Sequence, residues 1–425
     1  MRRVRNVAGV VGLALAASLT ACSSSTTSSA PPPKTVPAAD RPTAAQAHSC
    51  AAAHAATWVG CLVAAHSSFA SVPITGLAIP GAHNAGTNNL DAQSADTQKG
   101  SACVNVTAKG AAGDQLNRWS TTQDQSITQQ LDDGVRFIDL AVGYNGNGVA
   151  ATGWRVVENQ YSDYPLSVYL DQVANWAAGH HSEPVIVDLS TICYDHHPTA
   201  AIDAGLWANF ATKTTTGEGT ATMADVAFNP TSVQGGLATA NVGDVTGQQG
   251  GGHNVVVLIP AGAKAVQTLT SQYHVHPVLT VAPGTKTPAG ALEVEHGHVP
   301  VAPATTGDFS SANSTLGHDP LSADPALGTL VGRGLYVAQL HYDVGAASAT
   351  AQSALFGSFG GLVKTAPGAP GAASAVLAPW GSGVWTGNDD GAAIVATWGH
   401  RTNVVLADGV QNGGFVPSVI AANAQ

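Results

Sequence analysis

The chain has 425 residues, of which 44% are hydrophobic and only 10% are charged, and its formal net charge is −11 at pH 7. The hydrophobic share is enough for a large core. Nucleic-acid binding needs a stripe of Lys and Arg, and apart from the three arginines in the first five residues the sequence has no cluster of these residues, so we expect no nucleic-acid partner. The acidic balance also argues against adsorption to anionic lipid head groups by charge.

The amino terminus has the composition of an export signal. Three arginines at the start precede the apolar run 7–17, which is shorter than a membrane span. The sequence LTAC ending at Cys22 has the form of a bacterial lipobox. Residues 1–21 are therefore predicted to be a lipoprotein signal peptide, with acyl chains on Cys22 anchoring the protein to the outer face of the cell membrane. An ordinary signal peptide and secretion are the alternative.

Residues 22–47 consist mainly of Ser, Thr, Pro and Ala, with few large apolar side chains. Such a segment cannot bury enough surface to fold. It is predicted to be a disordered tether, and residues 48–425 are predicted to be one folded domain.

Four cysteines remain after Cys22, and in an exported chain they predict two disulfides. Proximity in sequence favours the pairs Cys50–Cys61 and Cys103–Cys193. A metal site is the alternative interpretation, but the cysteines lack the spacing of two residues between ligands that is common in zinc sites.

Apolar runs alternate with helical patterns over the domain, which predicts an α/β fold with a mainly parallel sheet, either doubly wound or closed. Residues 195–330 show little periodicity and are read as long loops around one strand. The predicted strands are 74–79, 135–142, 154–158, 184–189, 254–259, 335–340 and 403–406, and the predicted helices are 126–133, 166–176 and 415–422.

Three short blocks carry candidate chemistry. IPGAHNAGT at 79–87 places His83 after a strand, GVRFID at 134–139 places Asp139 on the next strand, and NVVLAD at 403–408 ends the last strand at Asp408. A histidine and a carboxylate at neighbouring strand ends can form an acid–base pair at the mouth of a barrel. The blocks resemble the X region of phosphatidylinositol-specific phospholipase C, over most of residues 72–192 and again at 403–423.

This resemblance implies an irregular TIM-type (β/α) barrel of the phospholipase C-like phosphodiesterase superfamily. It implies that His83 is the general base for attack of the inositol 2-hydroxyl on phosphorus, which yields a cyclic phosphodiester. Asp408 would hold the imidazole, and Asp139 would face the barrel mouth. For Arg136 two roles stay open, a catalytic one and a buried salt bridge to a neighbouring carboxylate.

The sequence departs from the family at three places. Ala141 and Ser190 stand where the family carries a cationic group or a metal-binding carboxylate. No histidine is found near the end of the strand 154–158 to protonate the leaving group. Glu158 could be that acid if burial raises its pKa, and His341 is a more distant candidate.

The sequence therefore predicts an exported, monomeric phosphoric diester hydrolase or lyase that acts on a phospholipid or on an inositol or sugar phosphodiester. Substrate contacts are predicted from Asn84, His341 and Trp385. One alternative is a catalytically impaired barrel that binds an inositol, sugar or phospholipid head group. Another is a calcium-dependent enzyme with Asn84, Asp139 and Glu158 as metal ligands; otherwise no cofactor is expected.

Overall fold

The computed structural model describes part of the chain, and all structural statements concern this part. The described residues are 36–91, 117, 120–146, 151–194, 199–211, 221–234, 236–246, 253–260, 275–280, 293–298, 334–340, 403–411 and 414–424. The predicted signal peptide and Cys22 lie outside them.

The described chain begins with two helices that are joined by a disulfide. Helix α1 (Ala44–Ala53) starts with a capping box in which Thr43 and Gln46 exchange hydrogen bonds, which satisfies free amides of the first turn. Helix α2 (Trp58–Ala65) follows. The bond between Cys50 and Cys61 confirms the first predicted disulfide. Regular structure thus begins ahead of residue 48, inside the predicted tether.

Ten strands form one sheet. Eight of them run parallel. The parallel strands are β1 (Ile79–Ala82), β2 (Phe137–Tyr144), β5 (Val185–Tyr194), β6 (Val255–Pro260), β7 (Val275–Thr280), β8 (Glu293–His298), β9 (Gly334–Leu340) and β10 (Val404–Ala407). Their order is β1-β10-β9-β8-β7-β6-β5-β2, and β1 also pairs with β2. Among these, β1, β2, β6 and β10 are almost entirely buried, as expected of parallel strands covered on both faces.

Two strands break the parallel pattern. Strand β3 (Trp154–Glu158) runs antiparallel to β2, and β4 (Gln160–Pro165) runs antiparallel to β3. The single residue between them, Asn159, has φ 56°, a left-handed conformation that Asn tolerates better than most residues. The hairpin therefore reverses at Glu158 and places this side chain at the turn.

Helices cover the sheet. The predicted helices are confirmed as α3 (Ile127–Asp132), α4 (Leu166–Gly179) and α8 (Phe415–Ala421). Three more lie in the region that we predicted to be loops, namely α5 (Ala200–Ala211), α6 (Met223–Val226) and α7 (Val242–Val245). That region also contains β7 and β8, so the prediction of long loops around one strand is wrong for its described parts.

The first predicted strand is misplaced. Residues Ile74–Gly76 form a 3₁₀ turn, and β1 starts at Ile79 and includes Pro80 and Gly81. Gly81 suits this position, because an added Cβ would displace the end of the Leu406 side chain and would lie 3.2 Å from Phe137 Cβ on the strand at the other side. The PG pair of the first block therefore lets β1 fit closely between β10 and β2, so that His83 follows the strand directly.

Among the described residues, no helix is both long enough and apolar enough to cross a membrane.

Candidate active site

His83 and Asp408 meet at the carboxyl ends of two adjacent parallel strands. His83 follows β1, Asp408 follows β10, and the amide of His83 donates to Ala407 O. Imidazole Nδ1 lies 2.8 Å from Asp408 Oδ1. The side chains keep 16% and 12% exposure. Because Nδ1–H is given to the carboxylate, the neutral imidazole keeps its lone pair on Nε2, the atom a general base uses.

Three carboxyl groups set the proton affinity of this histidine. Burial alone would lower the pKa of His83, but the hydrogen-bonded Asp408, with further help from Asp139 and Glu158, outweighs it and raises the pKa to about 9. The imidazolium form is therefore favoured near neutral pH, and the neutral form becomes abundant as the pH approaches 9.

Asn84 connects the histidine to two carboxyl groups. Its backbone has φ 45°, which turns the chain sharply after His83. The backbone amide of Asn84 donates to Asp139 Oδ2 at 3.0 Å. The side-chain amide donates to Glu158 Oε2 at 3.0 Å and lies 3.2 Å from His83 Nε2. With Asp408 bonded to His83, the structure thus brings five predicted site residues together: His83, Asn84, Asp139, Glu158 and Asp408.

Glu158 is a half-buried carboxyl group at the hairpin turn beside His83. Burial raises its pKa, and the charges of Asp408 and Asp139 act in the same direction, while His83 and the Asn84 amide oppose them. The net shift is upward, as the sequence analysis required of a candidate acid. Asn159 also donates to Glu158 Oε1 at 3.0 Å, which fixes the side chain at the hairpin turn.

Asp188 was missed by the sequence analysis. It lies on β5 and is paired in register with Asp139 on the neighbouring strand β2. Both side chains are buried. Burial and the charge of Asp139 raise the pKa of Asp188 well above its usual value. The sequence could have revealed this residue, because a carboxyl group within the otherwise apolar run 184–189 is unusual.

A polar segment before α3 was also missed. Thr122 Oγ1 donates to His83 O at 2.9 Å, and Gln123 Nε2 donates to the same oxygen at 3.0 Å and to Ala407 O at 2.9 Å. Because the segment has no apolar periodicity, nothing in the sequence pattern marks it. The carbonyl groups on both sides of the histidine–carboxylate pair are nevertheless bound by it.

Arg136 does not reach the site. It lies just before β2, at the end of the strand opposite to the histidine, and its Nη2 is 2.8 Å from Glu183 Oε2. Further hydrogen bonds go to the carbonyl oxygens of Leu131, Val135 and Ala56. Of its two predicted roles, the buried salt bridge is the one that the structure shows, and the catalytic role is wrong because every donor is used for structure.

The described part of the site contains no lysine or arginine. The only such residues in the described ranges are Arg41, Arg136 and Arg155, and Arg155 donates to the backbone of Ser162 and Asp163. Ala141, where the family carries a charged group, packs beside Val157 and Tyr161 in a small apolar cluster. No described group of three or more His, Cys, Asp or Glu side chains is placed to hold a metal ion.

Other predicted residues cannot be placed. His341 and Trp385 lie outside the described residues, and so does Cys103. Cys193, on β5, is disulfide-bonded; its predicted pairing with Cys103 stays a prediction.

Comparison with known proteins finds a family match in one part of the chain. Residues 108–211 match the family model of the phosphatidylinositol-specific phospholipase C, X domain. This range contains Asp139, Glu158 and Asp188, whereas His83 and Asp408 lie outside it. The chain therefore contains a region similar to the X domain of these phosphodiesterases.

Relatives with curated names are the PI-PLC X domain-containing protein 1 of Danio rerio, 32% identical over 28% of this chain and 39% of that protein, and that of Mus musculus, 30% identical over 27% and 34%. The match thus spans less than half the length of these relatives. A crystal structure of phosphatidylinositol-specific phospholipase C from Staphylococcus aureus with incorporated pentafluoro-Phe has a TM-score of 0.50 at 13% identity, and the match covers 88% of this chain and 99% of that one. This likeness shows a mixed α/β fold shared with that enzyme.

Proposed function

We propose that this protein is an exported phosphodiesterase that cleaves a phospholipid or related phosphodiester in the manner of phosphatidylinositol-specific phospholipase C. The observation that carries the proposal is the hydrogen bond between His83 Nδ1 and Asp408 at 2.8 Å, at the ends of adjacent parallel strands. It leaves Nε2 as the basic atom, beside two further carboxyl groups.

In the proposed first step, His83 Nε2 takes the proton of a substrate hydroxyl while the oxygen of that hydroxyl attacks phosphorus. Asp408 stabilises the imidazolium that forms. The bond from phosphorus to the leaving oxygen breaks, and a cyclic phosphodiester results when the hydroxyl belongs to the head group itself, as in an inositol.

Glu158 supplies the proton that the leaving oxygen needs. Its raised pKa keeps the carboxyl group protonated to a higher pH than an exposed glutamate, which suits a general acid. It replaces the second histidine that the family resemblance led us to expect. Asn84 donates to Glu158 and contacts His83, and so holds the acid and the base at one site.

The larger architecture follows from the same proposal. We infer that the parallel strands close into an irregular barrel; the pairing of β1 with both β10 and β2 supports closure. The lipid anchor on Cys22 and a location on the outer face of the cell membrane are likewise proposed, since a phospholipid substrate would then lie within reach of the anchored enzyme.

A second candidate function is binding of a head group without turnover. It is favoured by Ala141 packing in the apolar cluster, because a phosphodiester transition state is usually stabilised by a cation. Calcium held by Asn84, Asp139 and Glu158 would supply such a cation, and turnover would then depend on calcium.

The test is release of phosphorylated head group from phosphatidylinositol vesicles by the purified protein, with calcium and with chelator. His83→Ala is expected to lower kcat by about 10²–10⁴-fold, the usual contribution of a general base. The matched control is His48→Ala, which removes an exposed histidine of α1 and should leave turnover unchanged.

Equal turnover by His83→Ala and the unaltered protein would contradict the proposal. Turnover that requires calcium would favour the metal-dependent form. Head-group binding with no turnover in either condition would favour the binding function.

A further inference from the structure

Gln123 joins the two loops that carry the histidine and its carboxylate. Its side chain is buried, with 1% exposure. The amide nitrogen donates to His83 O and Ala407 O, and the amide oxygen accepts from the amide of Val410 at 3.3 Å. A single side chain therefore binds the backbone at His83 and on both sides of Asp408.

Thr122 makes the same connection through different atoms. Its hydroxyl donates to His83 O, and its carbonyl accepts from the amide of Gly409 at 2.8 Å. Thr87, on the loop after the histidine, shares a hydroxyl contact of 2.8 Å with Thr122. We call residues 122 and 123 the polar strap, since both contact the two loops.

This strap has a mechanical consequence. β1 and β10 end at Ala82 and Ala407, so regular strand pairing stops just before the reacting residues. Beyond that point the His83 amide donates to Ala407 O and the His83 ring bonds to Asp408, and the strap adds further bonds to the backbone of both loops. Small displacements of reacting groups cost large factors in rate.

We propose that Gln123 is a positioning residue, which fixes the distance between His83 Nδ1 and Asp408 through the two backbone carbonyls that it binds. It touches neither substrate nor the reacting atoms. This inference rests on the proposed function for its catalytic consequence, but the positioning itself is independent of turnover.

The experiment replaces Gln123 by Met, which keeps the length and volume of the side chain and removes its hydrogen bonds. The control is Asn423→Leu. Asn423 is equally buried and binds the backbone of Ala78 and Ile420, ahead of β1 and away from the histidine. Both variants lose a buried side-chain amide and should lose stability for that reason. A difference between them at the imidazole therefore reports on positioning and not on stability.

The first readout is the low-field proton resonance of the imidazole Nδ1–H in the ¹⁵N-labelled protein, assigned by its loss in His83→Asn. We expect this resonance to persist in Asn423→Leu and to broaden or disappear in Gln123→Met. If Gln123→Met proves too unstable to study, Thr122→Val removes the hydroxyl bond to His83 O and should shift the same resonance.

The second readout is turnover of phosphatidylinositol. Gln123→Met should lower kcat at least about tenfold with little change in KM, because misplacement of a reacting group affects the transition state. An unchanged Nδ1–H resonance in Gln123→Met and in Thr122→Val would overturn the inference. If the resonance is lost in Gln123→Met and the unaltered protein shows no turnover, the result supports the positioning role and contradicts the proposed function.

Discussion

Two ion pairs lie near opposite ends of the parallel strands of one sheet, Arg136–Glu183 at the amino ends of β2 and β5 and His83–Asp408 at the carboxyl ends of β1 and β10, and they differ in how deeply they are buried. At the amino end of β2, Arg136 and Glu183 have 2% and 0% side-chain exposure, and Glu183 also accepts from the amides of Val59 and Gly60. At the carboxyl end of β1, His83 and Asp408 keep 16% and 12% exposure. Nearby, Asp139 Oδ1 is buried and has no hydrogen-bond partner among the described residues.

This difference in burial separates a structural pair from the pair that we propose to be reactive. Every polar atom of a buried pair must be satisfied if the pair is to stabilise a fold. Arg136 meets that condition with three carbonyl groups and stacks over the ring of Trp176 at 4.6 Å. His83 Nε2 lies 3.2 Å from the side-chain amide nitrogen of Asn84, and the carboxyl groups around the ring raise the pKa of the histidine. We therefore assign stability to the pair at the amino ends of the strands and propose the catalytic role for the pair at the carboxyl ends.

The largest effect should come from breaking the structural pair. Glu183→Gln leaves the Arg136 charge without its counter-ion in the core, which should reduce the free energy of unfolding by about 3–5 kcal/mol. Denaturant unfolding measures this change, with Asp163→Asn, an exposed carboxylate of β4, as control. A loss no larger than that of the control would mean that the pair does not stabilise the fold.

Glu158→Gln tests the acid at the reactive end. It keeps the shape of the side chain and removes the proton, so kcat on phosphatidylinositol should fall by about 10²-fold or more. A substrate with a p-nitrophenyl leaving group needs no proton donor, and on that substrate the variant should approach the rate of the unaltered protein. Equal losses on both substrates would rule out Glu158 as the acid.

The dependence of stability on pH gives the most gradual effect. Because the folded pKa of His83 is raised to about 9, its stabilising contribution is complete below the unfolded pKa of about 6.5 and is lost as the pH rises to about 9. We expect a loss of roughly 3 kcal/mol over this interval, or about 1 kcal/mol for each pH unit. Asp408→Asn should flatten this slope, and thermal unfolding between pH 6 and about 9.5 measures it. A slope of the same size in the variant would show that another group causes it.

The sequence predicted those parts of the fold whose pattern is local. The helix at 166–176 has a clear apolar face and is found as α4, and the strand 154–158 has its predicted bounds as β3. The first strand was misplaced because Pro80 and Gly81 have low strand propensity. Only the close approach of the neighbouring strands, which is a tertiary property, explains their presence in β1.

The site followed the same division. His83, Asp139 and Asp408 could be predicted from three short blocks, because each follows or lies in an apolar strand. Gln123 could not, since its role consists of hydrogen bonds to backbone groups far away in sequence. Arg136 lies in a site block but at the wrong end of its strand, and the pattern alone could not distinguish the two ends.

The central claim is that His83 acts as the base of a phosphodiester cleavage. The most direct measurement is ³¹P NMR of the products formed from phosphatidylinositol vesicles by the unaltered protein, His83→Ala and His48→Ala. The account predicts a cyclic phosphodiester with the unaltered protein and with His48→Ala, and none with His83→Ala over the same time. No new phosphorus signal with the unaltered protein, or the same signal with His83→Ala, would contradict it.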